Sequence, residues 1–95
     1  FSASKATNER CWKMPLPEDY NELIKGAHGD IRNTGKTRWG GAITAALFLQ
    51  NFIGDNKWIH IDLAGPAHST KPQALSPEGG TGIGVRLLTE FLDNL

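Results

Sequence analysis

Apolar and polar positions along this chain change period several times, and each change marks an element. Residues 1–10 are polar and without period, so they read as irregular. Cys11 to Leu16 reads as a short extended segment, since Pro15 and Pro17 bias the residues before them away from the α region. From Pro17 the pattern turns helical: Pro17 suits the first helical position, Glu18 and Asp19 favour the positive end, and Tyr20, Leu23 and Ile24 share a face, up to a stop near Gly26. Ala27 to Gly41 is a long loop rich in Gly, Asn, Thr and charge. The segment GGAITAALFLQNFIG is apolar nearly all round and predicts a buried helix over Gly41 to Ile53, stopped by Gly54.

WIHIDLAG, Trp58 to Gly65, predicts a strand against which that helix packs. Its β-branched residues Ile59 and Ile61 point one way, and Trp58, His60, Asp62 and Ala64 point the other. The strand ends at Ala64-Gly65-Pro66, the kind of strand end where α/β proteins place ligands. A second loop, Pro66 to Gly80, follows. Gly82 to Leu95 then carries apolar residues at helical spacing and predicts a closing amphipathic helix. One strand between helices is an α/β pattern, yet one strand makes no sheet. The chain therefore reads as part of a larger sheet domain, one domain or less.

Composition narrows this reading. Lys plus Arg and Asp plus Glu number 10 each, so neither a nucleic-acid footprint nor an acidic tail is indicated. The longest apolar run, Ala45 to Leu49, is too short to cross a bilayer. The single Cys11 forms no internal disulfide, which fits a reducing compartment; flanked by Trp12, it reads as a small buried hydrophobe rather than a nucleophile. No secretory leader is visible, and a first residue of Phe1 suggests a trimmed chain.

The candidate chemistry is sparse. GGTGIG, Gly79 to Gly84, precedes a helix, but its third glycine is misplaced for a dinucleotide turn and no Gly-Lys-Ser/Thr follows; a flexible turn into a tightly packed helix is favoured. Asn33-Thr34-Gly35 is a plain turn, and Asp30 with Arg32 is a solvated pair. His28, His60 and His68 match no metal-binding spacing, and no serine sits in a nucleophile elbow. No catalytic residue and no metal ligand is assigned to this chain.

Taken in order, W-K-M-P-L (Trp12 to Leu16), Tyr20, G-D-I-R-N (Gly29 to Asn33), G-G-A-I-T-A-A-L-F-L (Gly40 to Leu49), W-I-H-I-D-L-A-G (Trp58 to Gly65) and G-T-G-I-G-V-R-L-L (Gly80 to Leu88) resemble the carboxyl-terminal end of the leucyl aminopeptidase (cytosol aminopeptidase) family. The resemblance covers residues 9–95 and implies an α/β fold, the carboxyl-terminal piece of a mixed-sheet, helix-flanked metallo-exopeptidase catalytic domain. It implies a parent enzyme that removes amino-terminal residues from peptides with two divalent ions, zinc or manganese, activating a bridging water. The family's metal ligands and its Asn-Thr-Asp-Ala-Glu-Gly-Arg motif lie upstream of the segment matching Trp12, and none is present here. The resemblance places Ala64 and Ala67 in the pocket for the substrate's first side chain, where some members carry a larger Met at the second position. It makes His60 and Asp62 supports beside the site, His60 packed and hydrogen-bonded, Asp62 accepting from backbone or hydroxyl groups. Expected partners are the peptide substrate and the rest of the catalytic domain, with no nucleic acid and no membrane; a cytoplasmic homohexamer is expected of the parent. The alternative is a free-standing binding or interaction domain that kept the fold without catalysis.

Overall fold

The computed structural model describes residues 1–95, which divide into two compact units, Phe1–Trp12 with Ile61–Leu95, and Lys13–His60. No helix is long and apolar enough to cross a membrane.

In the first unit the amino-terminal stretch is ordered: Ser2–Thr7 forms helix α1, where an irregular segment is expected over residues 1–10. Ala3, Lys5 and Ala6 are good helix formers. Six residues are too few to stand as an isolated helix or to show a period, so it is the packing of α1 on the last helix that makes it. Side chains finish the job. The buried Ser4 hydroxyl donates to the Glu9 carbonyl (2.7 Å) and accepts from the Cys11 amide (3.1 Å), while Thr7 Oγ1 donates back to the Ala3 carbonyl. Asn8 closes the helix in the left-handed region at φ 56°, a conformation Asn tolerates better than most residues.

The same unit holds the only paired strands, β1 (His68–Ser69) and β2 (Gly79–Gly80), antiparallel with His68 opposite Gly80. A 3₁₀ turn, Gly65–Ala67, leads into β1, so part of the expected second loop is structured.

The second unit is built around α2, Gly41–Gln50. It faces a 3₁₀ turn, Glu18–Leu23, formed where a short α-helix is expected, with Pro17 as its cap rather than its first residue. Ile24 and Leu47, each 1% exposed, form the core with Ile43, and Phe48 packs against them. Although α2 is apolar nearly all round, only Ile43, Thr44, Ala46 and Leu47 are buried; Leu49 is exposed. The helix stops at Gln50, short of Ile53: Asn51 turns its amide back to the Leu47 carbonyl (2.9 Å). The loop after Ile24 is pinned by Arg32 N donating to Ile24 O (2.7 Å) and Lys36 N donating to Leu23 O (2.8 Å).

Helix α3, Val85–Asp93, closes the chain in the first unit, within the expected Gly82 to Leu95. The expected strand over Trp58 to Leu63 is absent: no residue of that segment belongs to a ladder. A strand exists only through its neighbour, and this chain provides none beside it. Ile59 and Ile61 are exposed.

Candidate functional site

The segment that carries the expected pocket residues is a tethered turn. Ala64 is exposed, Ala67 is half-buried, and the Ala67 amide donates to the Ala64 carbonyl (3.3 Å) to close the 3₁₀ turn. Thr81 grips this turn twice: its hydroxyl donates to the Pro66 carbonyl (2.7 Å) and its amide to the Ala67 carbonyl (2.9 Å). The same hydroxyl accepts from the Ile83 amide at 3.3 Å. Two of the turn's three carbonyls, Pro66 and Ala67, are thereby paired. Ala64 and Ala67 each carry only a methyl group, and the turn has no nucleophile or base.

Behind the turn stands a carboxylate that pattern reading does not single out. Glu9, 6% exposed, places Oε2 3.0 Å from both the Gly84 and the Leu87 amides at the start of α3, and Oε1 3.3 Å from Arg86. The first N–H groups of a helix have no partner within it, and they favour negative charge. In the GGTGIG stretch, then, the chain's own carboxylate occupies the position a phosphate would take. A sequence clue does exist: Gly84 caps α3 with no side chain, so the helix start needs an acceptor from elsewhere. Which of ten acidic residues supplies it is invisible at a separation of 75 residues.

His60 and Asp62 fall on either side of the division between the units. The His60 ring lies 6.1 Å from that of Trp58, and its Nε2 is buried without a hydrogen-bond partner. Asp62 is exposed and takes part in no side-chain hydrogen bond or ion pair. Neither makes the bonds expected of it within this chain, because the strand that would hold them has no neighbours here. Cys11 is exposed rather than buried, its thiol directed at the Glu9 carbonyl (3.6 Å). Asp30 and Arg32 form no ion pair; the acid–base pairs are Lys25 with Glu22, and Arg86 with Glu9. No three His, Cys, Asp or Glu side chains converge, so the residues present do not fit the pair of divalent ions that the resemblance implies, and no step through such ions is derived from them.

Residues 1–89 match the model of the cytosol aminopeptidase family, catalytic domain. The chain belongs to that family. It is 52% identical over 93 residues to a probable cytosol aminopeptidase of Persephonella marina and 47% identical over 90 residues to one of Geobacter sulfurreducens, covering 96% and 95% of this chain. Among solved structures, a mutant tomato leucine aminopeptidase superposes with a TM-score of 0.86 at 39% identity over 99% of this chain, and the bottromycin maturation enzyme BotP with 0.89 at 38% over 98%. The chain spans 18% of the length of the two bacterial relatives, 18% of the tomato chain and 21% of BotP. It is a small carboxyl-terminal piece of the cytosol aminopeptidase catalytic domain, a mixed helix and strand segment consistent with that α/β architecture. Aminopeptidase, protease and hydrolase describe the family, and the expected membership and fold class stand.

Proposed function

We propose that this chain is the pocket-bearing part of a metal-dependent leucyl aminopeptidase, which removes amino-terminal residues from peptides. The observation that carries the reading is the turn Gly65–Ala67, fixed through its Pro66 and Ala67 carbonyls, where Ala64 and Ala67 would give the pocket a small apolar wall. A specificity pocket needs such a wall: apolar, rigid and free of competing polar groups. The chain supplies no ligand to the ions. Zinc or manganese would be held by residues of the catalytic domain outside it, where the ions supply an activated water and charge stabilisation. In the assembled domain, His60 and Asp62 act as supports, and neighbouring strands offer the partners that His60 Nε2 lacks here. The working form is a homohexamer in the cytoplasm, a location in line with relatives named as cytosol aminopeptidases.

The test uses the full-length enzyme carrying this segment. It should release p-nitroaniline from leucine p-nitroanilide with manganese or zinc and lose that activity to a chelator, while the 95-residue chain alone gives none. A full-length enzyme with no metal-dependent turnover on any amino-acyl anilide would sink the proposal. Turnover by the isolated chain would instead show that chemistry had been missed within it.

A further inference from the structure

Thr81 belongs to none of the residues expected to touch substrate, yet it is the residue through which the pocket turn is held. Its two bonds go to consecutive carbonyls, Pro66 and Ala67, at 2.7 and 2.9 Å. Those peptides lie immediately before and after the Ala67 α-carbon, so together they fix the direction in which its methyl group points. Thr81 is itself fixed from the other side. Three residues on, the Gly84 amide is bound to the buried Glu9 carboxylate, and the Ile83 amide donates to the Thr81 hydroxyl. A path of hydrogen bonds thus runs from Glu9 through the start of α3 to the wall of the pocket, all within one compact unit.

We propose that Thr81 is a positioning residue that sets the depth of the first-side-chain pocket, acting through the Ala64–Ala67 turn and anchored by Glu9. This rests on the proposal that Ala67 lines the pocket. Thr81 reaches the turn with its hydroxyl and its amide, and the hydroxyl can be removed without altering the backbone. Thr81→Val keeps the shape and the amide bond while deleting the hydroxyl bond to Pro66, leaving that carbonyl unpaired and the turn free to shift. A wall displaced by a fraction of an ångström acts unequally on large and small side chains. Thr81→Ser retains the hydroxyl and serves as the rescue.

The experiment measures kcat and KM for alanine and phenylalanine p-nitroanilides in the full-length enzyme and in its Thr81→Val, Thr81→Ser and Ala67→Met variants. Thr81→Val should change the Phe/Ala ratio of kcat/KM by about threefold or more, while Thr81→Ser stays within about twofold. Loss of general stability would lower both substrates alike and leave the ratio where it was. A shifted ratio for Ala67→Met with an unchanged ratio for Thr81→Val overturns the role of Thr81 and leaves the pocket intact. An unchanged ratio for Ala67→Met overturns the pocket reading, and the role of Thr81 falls with it. Should Thr81→Val fail to fold, Thr81→Ala removes the same hydroxyl with less bulk, and its ratio decides in the same way.

Discussion

At the scale of single residues, two side chains have consequences out of proportion to their size. If Ala67 lines the pocket as proposed, Ala67→Met would place three more heavy atoms in the path of the substrate's first side chain. One methylene of fit is worth about 1 to 3 kcal/mol in such a pocket, so discrimination between phenylalanine and alanine amides should move by about tenfold or more, against the larger substrate. Steady-state kcat/KM values for alanine, leucine and phenylalanine amides check this, and an equal change for all three would remove Ala67 from the pocket. Glu9 acts on stability instead. Glu9→Ala strips an acceptor from the Gly84 and Leu87 amides and a partner from Arg86, which should cost about 2 to 4 kcal/mol in the full-length enzyme. Glu9→Gln keeps an oxygen for the two amides and loses the negative charge that both the helix start and Arg86 favour, so it should cost less than Glu9→Ala. Urea unfolding of the two variants distinguishes them; equal losses would mean that the charge, not the acceptor oxygen, carries the stabilisation. Ala64 and Ala67 are legible in sequence as residues of a turn after an apolar run. Glu9 is not, because its role depends on a partner 75 residues away that has no side chain.

Among the elements, success in reading follows length and self-sufficiency. The long apolar segment at Gly41 declares α2 by composition, and the apolar spacing after Gly84 declares α3. Each forms its backbone hydrogen bonds within itself. The strand expected at Trp58 to Leu63 depends on backbone groups elsewhere, and this chain brings none to it. Helix α1 errs the other way: its sequence SASKAT has no apolar period, and contact with α3 and bonds from Ser4 and Thr7 shape it. The join between turn and α3 is sharper still. Gly84 has φ 93°, where a side chain is strained, and a methyl group added there would sit 3.1 Å from Leu63 Cδ2, which would have to give by a few tenths of an ångström. Gly84→Ala should therefore destabilise the full-length enzyme by about 1 to 3 kcal/mol despite the higher helix propensity of alanine. Thermal unfolding of the purified variant measures it. A melting temperature at or above that of the parent would mean that Leu63 moves aside and the backbone relaxes without cost.

For the whole molecule, exposed apolar side chains decide what the chain does alone. Trp12 is 89% exposed, Leu95 84%, Val85 66% and Leu92 62%, and only four hydrophobic residues, Ile24, Ile43, Ala46 and Leu47, are buried. So small a core falls short of what an independent domain needs, which fits a segment whose relatives are more than five times longer by the share it covers of them. The isolated 95-residue chain should accordingly show no cooperative unfolding transition in urea when followed by the fluorescence of its three tryptophans. It should also bind the dye ANS strongly, since the exposed side of α3 then has nothing to cover it. Adding the remainder of the catalytic domain in the same polypeptide should restore a single sharp transition and abolish dye binding. A cooperative transition of the isolated chain, with an m-value near that of a two-state domain of this length, would show that these residues hold their fold without the covering surface.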